Sequence, residues 1–203
     1  MLLILIPGRY NSYCFNAALF ISSLTFILSL IMWLIFDSGH NSFQFLCTID
    51  WLPAFNFYYT VGVDGISLFF LILTTFLIMV CVLISWGSIN YRLKEYLINF
   101  LLLEFLLIQV FSVLDLLLFY VFFESILMPM FLIIGIWGSR ERKIRAAYQF
   151  FLYTLVGSVL MLLGILIIYS HGGTTDLQML WNLEFSEKKQ IFLWVSFFLS
   201  FAV

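Results

Sequence analysis

The stretch LLLFYVFFESILMPMFLIIGIWG, Leu116 to Gly138, holds one charge, Glu124, with apolar residues on both sides and Pro129 just over a helical turn further on. It is long enough to cross a bilayer, which needs about 20 mostly apolar residues. A charged side chain at the centre of a membrane costs at least about 2.5–3.5 kcal/mol, a cost a leucine avoids. A carboxyl kept there makes proton or ion handling the first reading of Glu124. Pro129 adds to it, because proline has no N–H for the carbonyl of Ser125 and its ring pushes against that turn. A kink with a freed carbonyl beside Glu124 would make a polar pocket able to hold water. The competing reading is a glutamate hydrogen-bonded to a neighbouring helix.

The rest of the chain has the same character. Of 203 residues, 64% are hydrophobic and only 10% charged, where a soluble domain is about half apolar and about a quarter charged. A chain this apolar lacks the polar surface to be soluble, so an all-α integral membrane protein is expected. The net charge of −2 suggests no nucleic-acid partner. Cys14, Cys47 and Cys81 are far apart and show no metal-ligand spacing, so no metal site is expected. The 25 phenylalanines read as lipid-facing and packing material. No Gly-rich phosphate loop, nucleophile constellation or haem-ligand pattern is present.

Apolar runs predict a single membrane domain over residues 1–203, with spans at about 15–36, 65–86, 96–113, 116–137 and 146–169 and a partial sixth at 190–203. MLLILIPGR at the start is too short for a signal peptide or a span, and reads as the end of a helix. Arg9, Arg92, Lys94, Arg140, Arg142, Lys143 and Arg145 should share one side of the membrane. The connector from Asp37 to Asp64, with three aspartates and no basic residue, falls on the other side. Lys188 and Lys189 count against this orientation, but seven of the nine basic residues favour it.

Residues 96–137 contain no true polar loop, so two spans must meet at Ser112 to Asp115. At about 1.5 Å per residue, Glu124 lies about 13 Å from Asp115, and Glu104 about 16 Å on the other arm. Both therefore fall near the middle of a hydrocarbon core about 30 Å thick. Glu104 is a second candidate for proton transfer, with an interhelical hydrogen bond as the equal alternative. Asp115 is a candidate for the proton path, set against a plain turn residue. Asp64 opens a helix, where an acid favours the dipole. His40 and His171 read as loop histidines. The run SRERKIRAAYQ, residues 139–149, reads as a basic anchor, or as cations for a buried carboxylate or a neighbouring subunit.

Four stretches carry a resemblance: VGVDGISLFFLILTTFLI (61–78), LLLFYVFFESILMPMFLIIGIWGSRERKIRAAYQFFLYTLVGS (116–158), TTDLQML (174–180) and EFSEKKQI (184–191). Together they resemble the chain 4 family of NADH–ubiquinone oxidoreductase, respiratory complex I, in its mitochondrially encoded form. The likeness runs from about Phe15 to Val203. It implies an antiporter-like proton-pumping subunit of the membrane arm in the mitochondrial inner membrane, with no redox centre, quinone site or cofactor of its own. Glu124 matches the family's glutamate in an FE-x-x-x-x-P pattern, a key residue of the proton pathway. Asp115 falls at a position that is acidic in the family, while the resemblance assigns Glu104 no family functional role. Partners implied are lipids and the other membrane-arm subunits, including neighbouring antiporter-like ones.

Family members are more than twice this length and continue with a lysine and a Pro-x-x-Pro-x-His segment. That lysine is the expected partner of Glu124. The resemblance therefore suggests a split subunit, whose second part is a separate chain-4 fragment carrying the lysine helix; a truncated product is the other reading. Two further alternatives are a subunit of a multisubunit cation/proton antiporter and a non-pumping structural remnant.

Overall fold

The computed structural model describes residues 11–40, 42–52, 57–89 and 91–202. The readings of MLLILIPGR and Arg9, and of Asn41, Pro53 and Asn90 in the connectors, lie outside the described residues.

The elements are helices α1 (Asn11–Ile35), α2 (Gly65–Ile84), α3 (Leu93–Ser112), α4 (Leu116–Trp137), α5 (Lys143–Gly172), the short α6 (Leu177–Leu180) and α7 (Glu187–Ala202). A two-stranded sheet, β1 (Gln44–Leu52) and β2 (Phe57–Val63), stands between α1 and α2 in the chain. The first five helices are long and apolar enough to cross a membrane. α4 keeps its predicted bounds, and the other four start or end a few residues away from theirs. The largest change is in α5, which runs 30 residues rather than the 24 of the apolar stretch. A polar boundary does not end a helix; a cap does, and α5 ends where Gly173 takes a left-handed φ of 67° and donates to Tyr169 O at 2.8 Å. The sheet is the other departure. Residues 37–64 read as a plain connector, yet they carry aromatic and β-branched residues suited to strands.

Where the sequence reads as one membrane domain, the described residues pack into two compact units, one holding α1–α3 and the other most of the hairpin with α4–α7. In the first unit, α1 turns a stripe of small side chains inward: Cys14, Ala18, Ser22 and Ser29 are all buried. Small residues let helices approach closely where no hydrophobic effect drives them together. Against α1, α2 buries Leu68, Leu71, Thr75, Ile78 and Val82 at helical spacing. Ser29 and Thr75 hydroxyls meet at 3.0 Å, and Phe26 and Phe76 rings lie 5.6 Å apart. Asp64 caps α2, accepting from Gly65 N at 2.7 Å.

In the second unit, α4 and α7 both pack on α5. Close approach of α5 and α7 depends on glycine: a Cβ on Gly157 would lie 2.8 Å from Ser200 O, and one on Gly164 would lie 3.2 Å from the Phe197 ring. The start of α4 is tied into a knot of backbone bonds. Leu114 N donates to Thr60 O at 2.9 Å, Leu116 N to Thr175 O at 3.0 Å, and Leu177 N to Leu114 O at 2.9 Å.

Candidate functional site

Glu124 lies on α4 between Tyr120, one turn before it, and Pro129, which is buried inside the helix. The residue is half-buried, and its Oε2 is enclosed with no hydrogen-bond partner among the described residues. A polar oxygen in that position costs about 1–3 kcal/mol, and more if it is charged. Tyr120 lies within electrostatic reach of Glu124, and its hydroxyl is hydrogen-bonded to Ser158 of α5. The Ser158 hydroxyl also donates to Leu155 O at 2.9 Å. Ser125 donates to Val121 O at 2.6 Å. Pro129 removes the N–H that would otherwise reach Ser125 O, so an acceptor stands free one residue from the carboxyl. α4 itself continues past Pro129 to Trp137.

Glu104 sits in the other unit. It is only 3% exposed, and Thr25 of α1 lies with Oγ1 2.5 Å from Glu104 Oε1. The same hydroxyl lies 2.9 Å from Ser22 O and 3.3 Å from Ile21 O. It has one hydrogen for these acceptors. With Glu104 ionised, Thr25 donates to it; with Glu104 protonated, the acid donates to Thr25, whose hydrogen turns to Ser22 O. Both states are hydrogen-bonded within the unit. Sequence reasoning named Glu104 but not Thr25. The available signal was Ser22, Thr25 and Ser29 recurring at helical spacing within an apolar run.

Asp115 is the N-cap of α4. Its Oδ1 accepts from Leu117 N at 2.9 Å and Leu118 N at 3.0 Å, and its Oδ2 from Thr175 Oγ1 at 2.5 Å. A buried carboxylate so occupied holds the knot at the start of α4. Thr175, fully buried, is a second residue that the sequence reading missed. His40 faces Asp37 at 4.0 Å and the His171 ring lies 5.1 Å from that of Phe185. Among the described residues no group of three His, Cys, Asp or Glu side chains could hold a metal ion.

Residues 113–203 match the family described as NADH:quinone oxidoreductase/Mrp antiporter, TM. The curated proteins that the chain resembles are NADH-ubiquinone oxidoreductase chain 4. It is 66% identical over 202 residues to that protein from Chondrus crispus and 57% identical over 203 residues to that from Arabidopsis thaliana. Each alignment takes in 100% of this chain and 41% of the relative, so the chain spans about two-fifths of the length of the curated relatives it matches. Among solved structures, a chain of respiratory complex I from Thermus thermophilus with bound NADH superposes with a TM-score of 0.83 at 29% identity, over 99% of this chain and 40% of that one. A chain of an Mrp complex from a Dietzia species shares the fold alone, with a TM-score of 0.79 at 14% identity over 94% of this chain and 21% of that one.

Proposed function

We propose that this chain is part of a proton-translocating membrane-arm subunit of NADH:ubiquinone oxidoreductase, and that Glu124 carries the proton. One observation supports the role of Glu124 above the rest: its enclosed Oε2 has no partner among the described residues, on a helix that carries Pro129 in its interior. An oxygen left in that state needs a cation, a proton or water from outside these residues. The chain-4 likeness supplies the cation in the form of a lysine-bearing helix, which we assign to the complementary chain-4 segment. Electron transfer elsewhere in the assembly would move that lysine toward and away from Glu124. Proton uptake follows withdrawal of the positive charge, and release follows its return. Neighbouring antiporter-like subunits and lipids complete the surroundings. The relatives from a red alga and a plant support a place in the mitochondrial inner membrane.

The test is Glu124→Gln in the intact complex, read as NADH-driven proton translocation in sealed vesicles. Translocation should be lost while the complex still assembles. Wild-type pumping by the variant would remove Glu124 from the pathway. The antiporter alternative shares the fold, and is separated by co-purification: a flavin and iron–sulfur arm bound to the chain supports the oxidoreductase reading.

A further inference from the structure

We propose that the loop joining α4 to α5 is a binding site for the phosphate headgroup of an anionic phospholipid. Arg140, Arg142, Lys143 and Arg145, with Ala146 and Gln149, line an open cavity of about 430 Å³. Lys143 is engaged, donating from Nζ to Ile136 O at 2.6 Å. Among the described residues the three arginines meet no carboxylate, and Glu141, the one acid in the loop, pairs with none of them.

The placement of these charges is unfavourable without a ligand. The N-terminus of a helix carries a partial positive charge that favours anions, and cations belong at the other end. α5 begins with Lys143, its N-cap Arg142 makes no side-chain capping bond, and no acid stands in its first turn. Lys143 is held at the C-terminal carbonyls of α4, which leaves three arginines beside the N-terminal pole of α5, repelled by one another and by its dipole. A phosphate in the cavity offsets the repulsion among the arginines, whose forks can grip its oxygens, and the N-terminal pole of α5 favours its charge.

The surface below the cavity selects a lipid over free phosphate or an acidic protein segment. Tyr148, Leu152, Val156, Val159 and Leu163 are all exposed. With Arg145 they recur at three- and four-residue steps and so share one face of α5. An anionic group at the top of this stripe and acyl chains along it match one molecule, and the loop between two spans lies where headgroup phosphates lie. This inference does not depend on the proton-handling role of Glu124.

The experiment uses the intact membrane complex in phosphatidylcholine vesicles carrying trace phosphatidylglycerol, labelled with a photoreactive group on its acyl chain. In the wild type, crosslinks should map to the stripe from Tyr148 to Leu163. The triple variant Arg140→Gln, Arg142→Gln, Arg145→Gln should lower that labelling severalfold, to the level given by equally labelled phosphatidylcholine. The corresponding triple lysine variant, which keeps the charge if the neutral one fails to assemble, should retain most of it. Excess inorganic phosphate should leave the labelling in place. Equal labelling by the two lipids in the wild type overturns the proposal, as does complete displacement by inorganic phosphate. Zero-length crosslinking of these arginines to an acidic segment of a neighbouring subunit also overturns it.

Discussion

Two glutamates in apolar helices have opposite surroundings in this molecule. Glu104 is closed into its unit with Thr25 2.5 Å away, and the single hydrogen of that hydroxyl can serve either protonation state of the acid. Glu124 is less buried, yet its Oε2 has no partner among the described residues. The first carboxyl is satisfied by its own helices and the second is not. Burial and hydrogen-bond satisfaction are therefore separate properties of a carboxyl in this fold. What separates the two is whether the hydrogen-bonding demand of the carboxyl closes inside the fold or must be met from outside it.

The contrast is most exposed at Glu124. Glu124→Gln should cut NADH-driven proton translocation by at least about tenfold, in line with the loss of a positioned proton-transfer group. Glu104→Gln should do less in the same vesicle assay, because an amide oxygen can still accept from Thr25. Equal losses at the two positions would erase the distinction.

A second break would come through the packing of one unit only. Gly157→Leu places a side chain against Ser200 O and should destabilise the α5–α7 contact by about 1–3 kcal/mol. Thermal melting of the complex would measure this. Proton translocation should fall in step with the loss of stability, while the infrared carboxyl band assigned to Glu104 stays in place.

Asp115 tests whether every buried acid belongs in the comparison. Asp115→Ala removes an N-cap and should cost about 1 kcal/mol or somewhat more, visible as reduced assembly. Asp115→Asn keeps a capping oxygen and should pump normally; a pumping defect without loss of assembly would return Asp115 to the proton path.

The smallest effects sharpen the picture rather than break it. Thr25→Val leaves Glu104 without its hydroxyl, and Thr25→Ser restores one. Only the valine variant should shift the carboxyl stretch of Glu104 in infrared difference spectra. Tyr120→Phe removes the bond to Ser158 and should cost about 0.5–1.5 kcal/mol of stability. It should barely change translocation, since Glu124 Oε2 has no hydrogen bond from that phenol to lose.

Much of this could be read from the residues directly. The five spans followed from apolar length, because a backbone in oil must satisfy its own hydrogen bonds and a helix of about 20 residues does so. Glu124 stood out because a charge in such a run is costly. The hairpin between α1 and α2 was missed, since its strands sit in a stretch marked by turn residues and aspartates, and pairing between separate segments leaves no local period. Thr25 and Thr175 were missed for a related reason. A threonine in a helix or a loop looks the same whether or not a carboxyl from a segment 79 or 60 residues away meets it.

The order of residues by itself determined that this is a helical membrane chain, where its spans lie, and that an acid stands in the middle of α4. Those are properties of single segments, set by hydropathy and backbone geometry. Only the tertiary structure decided which acid is satisfied, which one caps a helix, and which one is left waiting for a partner. The reason is that a hydrogen bond is made between two groups at about 3 Å, and the distance between residues far apart in the chain exists only once the helices have packed.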